Sequence, residues 1–213
     1  MPHPMTGIQS SAALQAQLCS GDLLLCQGTS AMAQLIQRAT RSRWSHVGLL
    51  WRLEGLQRVL VLESVESIGV RAVALEQYVT DYGGTGQPYP GAVCVARHTH
   101  FPTDAALLAR LGQEAITLLG TQYDGREIAG IALRIMGQVL GVPPHAAHMN
   151  TRLICSEFVH RLYAQVGLAI PYDPRGFIAP KDFAACPDIA VLWEIQRGPP
   201  QVTPIGKEIP SCP

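Results

Sequence analysis

Short apolar segments separated by turn-like sequences fill the first hundred residues, and this pattern constrains the fold more than any other feature of the sequence. The pieces between them, EGLQ for example, are short, which favours neighbouring antiparallel strands. Between the first two segments, TSAMAQLIQRAT predicts a short helix capped by Thr29 or Ser30. The predicted strands are GDLLLCQG (21–28), HVGLLW (46–51), VLVLES (59–64), VRAVAL (70–75) and PGAVCVAR (90–97).

Helical spacing replaces the strand pattern after residue 100. Thr103 is the expected cap of a helix over 104–120, and apolar stripes predict further helices over 126–141 and from Cys155 to Gly167. WEIQ (193–196) is expected to return as an edge strand. Strands followed by helices indicate an α+β fold with the helices packed on one side of an antiparallel sheet.

Composition and charge bound the class of protein. Of 213 residues, 47% are hydrophobic, and 16 basic residues balance 16 acidic ones, so net charge suggests neither nucleic acid nor an anionic membrane as a partner. No apolar run is long enough to cross a bilayer, and the first residues do not resemble a signal peptide. Six widely spread cysteines without a C-x-x-C pair favour reduced thiols and a cytoplasmic location.

Domain organisation follows from composition along the chain. Residues 1–18 are small and polar and predict an N-terminal arm, whereas 19–197 predict a single folded domain. Residues 198–213 are too rich in proline to continue any regular element.

Cys155 is the candidate nucleophile, because it stands where an apolar run turns into a helix. A thiol attacks as the thiolate, which a helix N-terminus and a nearby imidazole both stabilise. His46 is the first residue of an apolar strand. A polar ring at that position indicates that it interacts with a group from another part of the chain. Glu63 ends the strand expected beside it and is suited to orient the imidazole, if the register permits. Taken alone, without His46, Glu63 and the order of the motifs, Cys155 is more typical of a buried core thiol than of a nucleophile.

The order of several motifs carries a family resemblance. SHVGLL, VLES followed by GVR, QYDG and LICSEFV resemble the circularly permuted papain-like enzymes, in the YiiX-like branch related to NlpC-type peptidases and lecithin:retinol acyltransferase. The resemblance implies a permuted papain-like fold, whose antiparallel sheet can close into a small barrel against a helical subdomain that carries the nucleophile. It also implies Cys155 as nucleophile, His46 as general base and acid, Glu63 as the orienting residue, and Tyr123 at the pocket.

Ser45 and Arg43 are candidate substrate-binding residues, because they closely precede His46. Arg43 belongs to a basic cluster that could meet a carboxylate or phosphate, although such a cluster is more typical of a solvated basic face. We expect no cofactor and no metal. The histidine pairs lack cysteine or carboxylate companions at ligand spacing; they are His98 with His100 and His145 with His148.

These features predict a cysteine-dependent hydrolase of amide bonds that acts through a thioester. The expected substrate is a small peptide, which could derive from the cell wall. A lipid-directed acyltransferase or acyl hydrolase is the second hypothesis, because relatives of that kind use the same thioester chemistry. A binding module that keeps the cleft without turnover is the third. The oligomeric state stays open.

Overall fold

The computed structural model describes residues 17–66, 68–122, 154–174 and 176–195, together with one short strand at 202–204. The predicted helix over 126–141 and Tyr123 lie outside these residues. Within the described part of the chain, no helix is both long and apolar enough to cross a bilayer. The division into an arm, one domain and a tail stays a prediction.

The core element of the described residues is an antiparallel sheet of seven strands. Their order across the sheet is β4-β3-β2-β1-β5-β6-β7, and every neighbouring pair is antiparallel. The sheet is open, with β4 and β7 at its edges, so the expectation that it closes into a barrel is wrong. The strands are β1 (Leu23–Gln27), β2 (His46–Leu53), β3 (Arg58–Val65), β4 (Gly69–Ala74), β5 (Ala92–His98), β6 (Ile189–Ile195) and β7 (Val202–Pro204).

The first five strands lie where the sequence predicts them, but the C-terminal strands differ. β6 begins four residues before the predicted WEIQ segment and lies between β5 and β7, so it is not an edge strand. β7 comes from the proline-rich tail, which was expected to form no element. Pro204 is tolerated because β7 is itself at the edge, where a missing backbone donor costs little.

Within the described residues, five α-helices of six residues or more follow the strands or connect them. They are α1 (Ala31–Thr40), α2 (Leu75–Thr80), α3 (Ala105–Leu118), α4 (Cys155–Gln165) and α5 (Pro180–Ala185). Ser30 caps α1 by accepting the backbone N–H of Ala33, as predicted. The cap of α3 is Asp104 and not Thr103, because the Asp104 carboxylate accepts two backbone N–H groups of the first turn. α2 and α5 were not predicted, since six residues are too few to establish helical periodicity.

Both faces of the sheet are buried, which corrects the expectation of helices on one side only. Leu23 and Leu25 of β1 point into a core shared with α3, α4 and α5. Leu24 and Cys26 point into a second core, which includes residues of α2. This explains why β1 is apolar throughout rather than alternating.

A buried ion pair joins β1 to β5. The Arg97 guanidinium donates to both carboxylate oxygens of Asp22, at 2.6 and 2.8 Å. The preceding Gly21 has a φ of 96°, and a Cβ there would lie 2.0 Å from the Phe101 ring. The Gly21-Asp22 pair therefore has a structural role at the start of the sheet.

The cysteines are not all reduced. Cys19 is disulfide-bonded, whereas Cys26, Cys94, Cys155 and Cys186 are free thiols. The expectation of reduced thiols throughout is therefore wrong at Cys19. A disulfide is more typical of an oxidising compartment, so the cysteines no longer favour a cytoplasmic location.

Candidate active site

His46 and Glu63 meet across the β2–β3 pair. The two strands are in register at Leu49 and Leu62, which makes Glu63 a diagonal neighbour of the first residue of β2. The His46 Nε2 atom lies 2.7 Å from a carboxylate oxygen of Glu63. Gly48 lies opposite Glu63 on β2, where a Cβ would lie only 3.0 Å from the Val61 side chain and 3.5 Å from that of Glu63.

Glu63 is the most completely satisfied charged group of the site, and its side chain is 0% exposed. Oε1 of this carboxylate accepts a hydrogen bond from Nε of Arg71 at 2.9 Å and lies 2.8 Å from a second guanidinium nitrogen of Arg71. The Tyr78 hydroxyl donates to the same oxygen that contacts His46. Burial alone would raise the pKa of Glu63, but the hydrogen bonds and charges of His46, Tyr78 and Arg71 outweigh it and lower that pKa. Glu63 is therefore a buried carboxylate anion.

Cys155 is the first residue of α4, and its interaction with the His46 imidazole contributes to the raised pKa of that ring. The residue is 3% exposed. As a first-turn residue, it has a backbone N–H without an acceptor inside the helix, and the helix dipole favours negative charge there. The neighbouring Ser156 hydroxyl donates to the Ile178 carbonyl at 2.7 Å and holds the start of α4 in place.

The His46 imidazole is held in its charged form. Burial opposes that charge, but the hydrogen bonds to Cys155 and Glu63 outweigh it and raise the pKa of His46 from 6.5 to about 10. The ring remains 17% exposed, so solvent reaches it. The arrangement can therefore supply a proton to a leaving group at neutral pH and take one back from water.

Two clefts of different character meet at Cys155. The first is almost entirely apolar, and its lining includes Leu35, Ile36, Phe177 and Ile178. The second contains polar groups as well as His46, and its lining includes Ser64, Glu66, Tyr82 and Tyr89. Ile36 of α1 and Cys155 belong to both linings, so α1 lies beside the thiol where the clefts adjoin.

The remaining predicted site residues differ in their placement. Ser45 lines the polar cleft, but its hydroxyl donates to the Cys26 carbonyl and accepts the Gly28 N–H. It therefore ties the ends of β1 and β2 together. Arg43 lines neither cleft and donates to the Gln27 side chain instead. Tyr123 lies outside the described residues.

Arg71 and Tyr78 were missed as site residues. A signal for Arg71 existed, because GVR follows VLES after a short turn and the hairpin pairs Arg71 directly with Glu63. For Tyr78 there was none, since its contact depends on α2 folding back over β3.

Searches against protein-family models and against curated proteins give no match. Among solved structures, the α+β fold described above is similar to that of yiiX. The metalloprotein yiiX from Escherichia coli O157:H7 matches with a TM-score of 0.57 and 20% sequence identity, over 83% of this chain and 97% of that chain. At this identity the likeness concerns the fold alone. It supports the YiiX-like part of the resemblance, while the papain-like and NlpC-type relationship stays a prediction.

Replacing Tyr78 with phenylalanine should destabilise the protein by about 2 kcal/mol, because a hydrogen bond to a buried carboxylate is lost. The free energy of unfolding in urea measures this. Tyr163→Phe is the matched control, since that tyrosine is equally buried but donates to the neutral Gly21 carbonyl, and its cost should be about 1 kcal/mol. Equal losses in the two variants would contradict the importance of the charged acceptor.

Proposed function

We propose that this protein is a cysteine-dependent hydrolase of amide bonds that acts through a thioester intermediate. Cys155 is the nucleophile, His46 the general acid and base, and Glu63 the positioning residue. The observation that carries the proposal is the series of interacting side chains from Cys155 through His46 to a buried Glu63 carboxylate, at the meeting point of two clefts. A thiol that served only for packing would need no such series.

The reaction follows from these groups. The Cys155 thiolate attacks the carbonyl carbon, and a carbon–sulfur bond forms as the carbonyl oxygen becomes an oxyanion. The backbone N–H of Cys155 stabilises that oxyanion at the start of α4. The carbon–nitrogen bond breaks as the His46 imidazolium gives its proton to the departing amine. His46 then takes a proton from water, which cleaves the thioester and releases the acid and the thiolate.

Glu63 acts through His46 and does not contact the substrate. Its carboxylate fixes Nε2 of the imidazole, which leaves the other ring nitrogen for the thiol. Arg71 and Tyr78 fix the carboxylate in turn.

The two clefts indicate what the substrate offers on each side of the scissile bond. An apolar group fits the cleft beside Leu35 and Phe177, and a polar group fits the cleft beside Ser64 and Glu66. A small peptide with one apolar side chain next to the cleaved amide has this character. The resemblance described above adds a cell-wall-derived peptide as one source.

The apolar cleft favours a second candidate function. A hydrocarbon chain would fill it as well as an apolar side chain, and the same thioester could then pass to an alcohol, an amine or water. The protein would in that case be a lipid-directed acyltransferase or acyl hydrolase.

Reaction with p-nitrophenyl esters tests the shared thioester step, because acylation by such esters is fast. We expect a burst of p-nitrophenol and a mass increase on intact protein equal to one acyl group, located at Cys155 by peptide mapping. Apolar acyl groups should react faster than charged ones. An acyl group found on Cys186 instead, or no adduct with any ester, would contradict the proposal.

The two candidate functions separate in a second step. Peptide anilides with an apolar residue before the scissile bond are compared with phosphatidylcholine vesicles that carry a labelled acyl chain. Turnover of the anilides supports the amide hydrolase. An acyl-enzyme formed from the vesicles, without anilide turnover, supports the lipid-directed function instead.

A further inference from the structure

A histidine, a cysteine and an aspartate come together at the end of the sheet away from Cys155. His98, Cys186 and Asp188 each present one ligand atom, and these atoms lie within 4.8 Å of one another. His100 is adjacent, with Nε2 3.6 Å from an Asp188 carboxylate oxygen. The prediction that His98 and His100 lack cysteine and carboxylate companions therefore does not hold in space.

The backbone holds the two halves of this cluster in fixed positions. His98 ends β5 and pairs directly with Ile189 of β6. The Thr99 N–H donates to the Asp188 carbonyl at 2.8 Å, and the Ile189 N–H donates to the Cys186 carbonyl at 3.0 Å. The turn between α5 and β6 is thus fastened to the end of β5, and the ligand atoms are brought together before any ion binds.

We propose that His98, Cys186 and Asp188 bind a divalent transition-metal ion of the zinc type, with His100 or water as the fourth ligand. One nitrogen, one sulfur and one oxygen donor suit zinc, whereas calcium and magnesium require oxygen ligands. Ligand atoms around tetrahedral zinc are roughly 3.5 Å apart. The Asp188 side chain is 53% exposed, and its one ion-pair contact among the described residues is with His100, itself a candidate ligand, so a small rotation of the carboxylate would bring it to ligand distance.

Partial exposure gives the ion a path to the cluster. His98 is buried and Cys186 half-buried, while the carboxylate of Asp188 and the ring of His100 face solvent. When the ion binds, the Cys186 thiol loses its proton to solvent and the sulfur–metal bond forms.

The site is separate from the proposed catalytic groups. Val93 of β5 pairs with Cys26, which pairs with His46, so the catalytic end of the sheet lies five residues from His98 along β5. Five residues of strand span roughly 16 Å. The ion would join β5 to the turn before β6, and residues 99–185 between them include α3 and α4. It would thus stabilise the part of the fold that carries Cys155.

Cobalt(II) titration of the full-length Cys155→Ser variant tests the proposal without a contribution from the active-site thiol. We expect one equivalent to bind, with the visible bands of a tetrahedral ion and a thiolate-to-metal charge-transfer band. Zinc should displace the cobalt and raise the Tm. Absence of stoichiometric binding, or binding without the thiolate band, would overturn the proposal whether or not the enzyme is active.

Three further variants, each made in the Cys155→Ser protein, locate the ion. Cys186→Ser should abolish the charge-transfer band, and Asp188→Ala should weaken binding by at least about 100-fold. Because Asp188 is exposed, its replacement leaves the fold intact and keeps the test valid if Cys186→Ser is unstable. Cys94→Ala removes a free thiol from β5, the strand that ends with His98, and should leave metal binding unchanged. Unaltered affinity in Asp188→Ala would place the ion elsewhere and contradict the proposal.

Discussion

Replacing Cys155 with serine should lower kcat/KM by at least about 10³-fold while the fold stays intact. A serine hydroxyl at the start of α4 ionises far less readily than a thiol, so far less of the attacking anion forms. The size of Ser is close to that of Cys, so the core around α4 should lose little. Steady-state kinetics on the ester that gives the largest burst measure the effect, and circular dichroism checks the fold.

Cys94→Ala is the matched control for this experiment. Cys94 is a buried free thiol of β5 that belongs to the same core as Cys155 but lines neither cleft. Its replacement should leave kcat/KM within a factor of two or so, since surrounding core residues do not touch the reacting atoms. Turnover that survives in Cys155→Ser at the wild-type rate would show that another group is the nucleophile.

Replacing Glu63 with glutamine should lower the free energy of unfolding by about 3–5 kcal/mol, because it leaves the buried charges of Arg71 and His46 without their counter-ion. The amide also places an N–H group where the carboxylate contacted the donor groups of three residues, His46, Arg71 and Tyr78. Activity should fall less than in Cys155→Ser, since the nucleophile and the imidazole both remain. Urea denaturation followed by tryptophan fluorescence measures the stability.

The loss of unfolding free energy in Glu63→Gln should depend on pH, and the pKa shifts of Glu63 and His46 determine in which pH range it is largest. The pKa of Glu63 is lowered from 4.5 in the native state, so its contribution is complete above pH 4.5 and disappears as pH falls through the native value. The pKa of His46 is raised from 6.5 to about 10, so its contribution is complete below pH 6.5 and disappears as pH rises through about 10. The difference between wild type and Glu63→Gln should therefore be greatest between these two limits, near pH 5–6.

Glu76→Gln is the control for this prediction. Glu76 forms an exposed ion pair with Arg58 at 3.7 Å, so its replacement should change stability by less than about 1 kcal/mol at any pH. A loss in Glu63→Gln that is the same at every pH would mean that the carboxylate is not ionised in the native state.

Much of the sheet could be predicted, because its strands carry their signal locally. β1 to β3 are apolar segments bounded by turns, and a short connection between β2 and β3 leaves antiparallel pairing as the simple solution. The same antiparallel pairing of β2 with β3 places Glu63 next to His46. The short helix α2 could not be predicted, since one and a half turns show no periodicity. Tyr78, which α2 carries to Glu63, was missed for that reason.

Local sequence patterns could not predict the contacts between segments that are distant in the chain. The N-terminal residue of α4 meets β2 only after the helix packs on the sheet, so the motif order suggested the meeting of Cys155 with His46 but could not provide its geometry. The cluster of His98 with Cys186 and Asp188 depends on the pairing of β5 with β6, whose register no local sequence signal specifies. The strand at one edge of the sheet, β7, was likewise missed, because three residues carry no apolar alternation.

The sequence by itself determined the alternation of apolar strands and amphipathic helices, the α+β class, and the residue types able to perform thiol chemistry. Only the tertiary structure decided that both faces of the sheet are buried, that the sheet stays open, and that four donor groups converge on Glu63. The physical reason is the distance along the chain over which each kind of interaction acts. Hydrophobic periodicity and capping act over a few residues, whereas charge pairing in a buried site depends on which distant segments the core packs together.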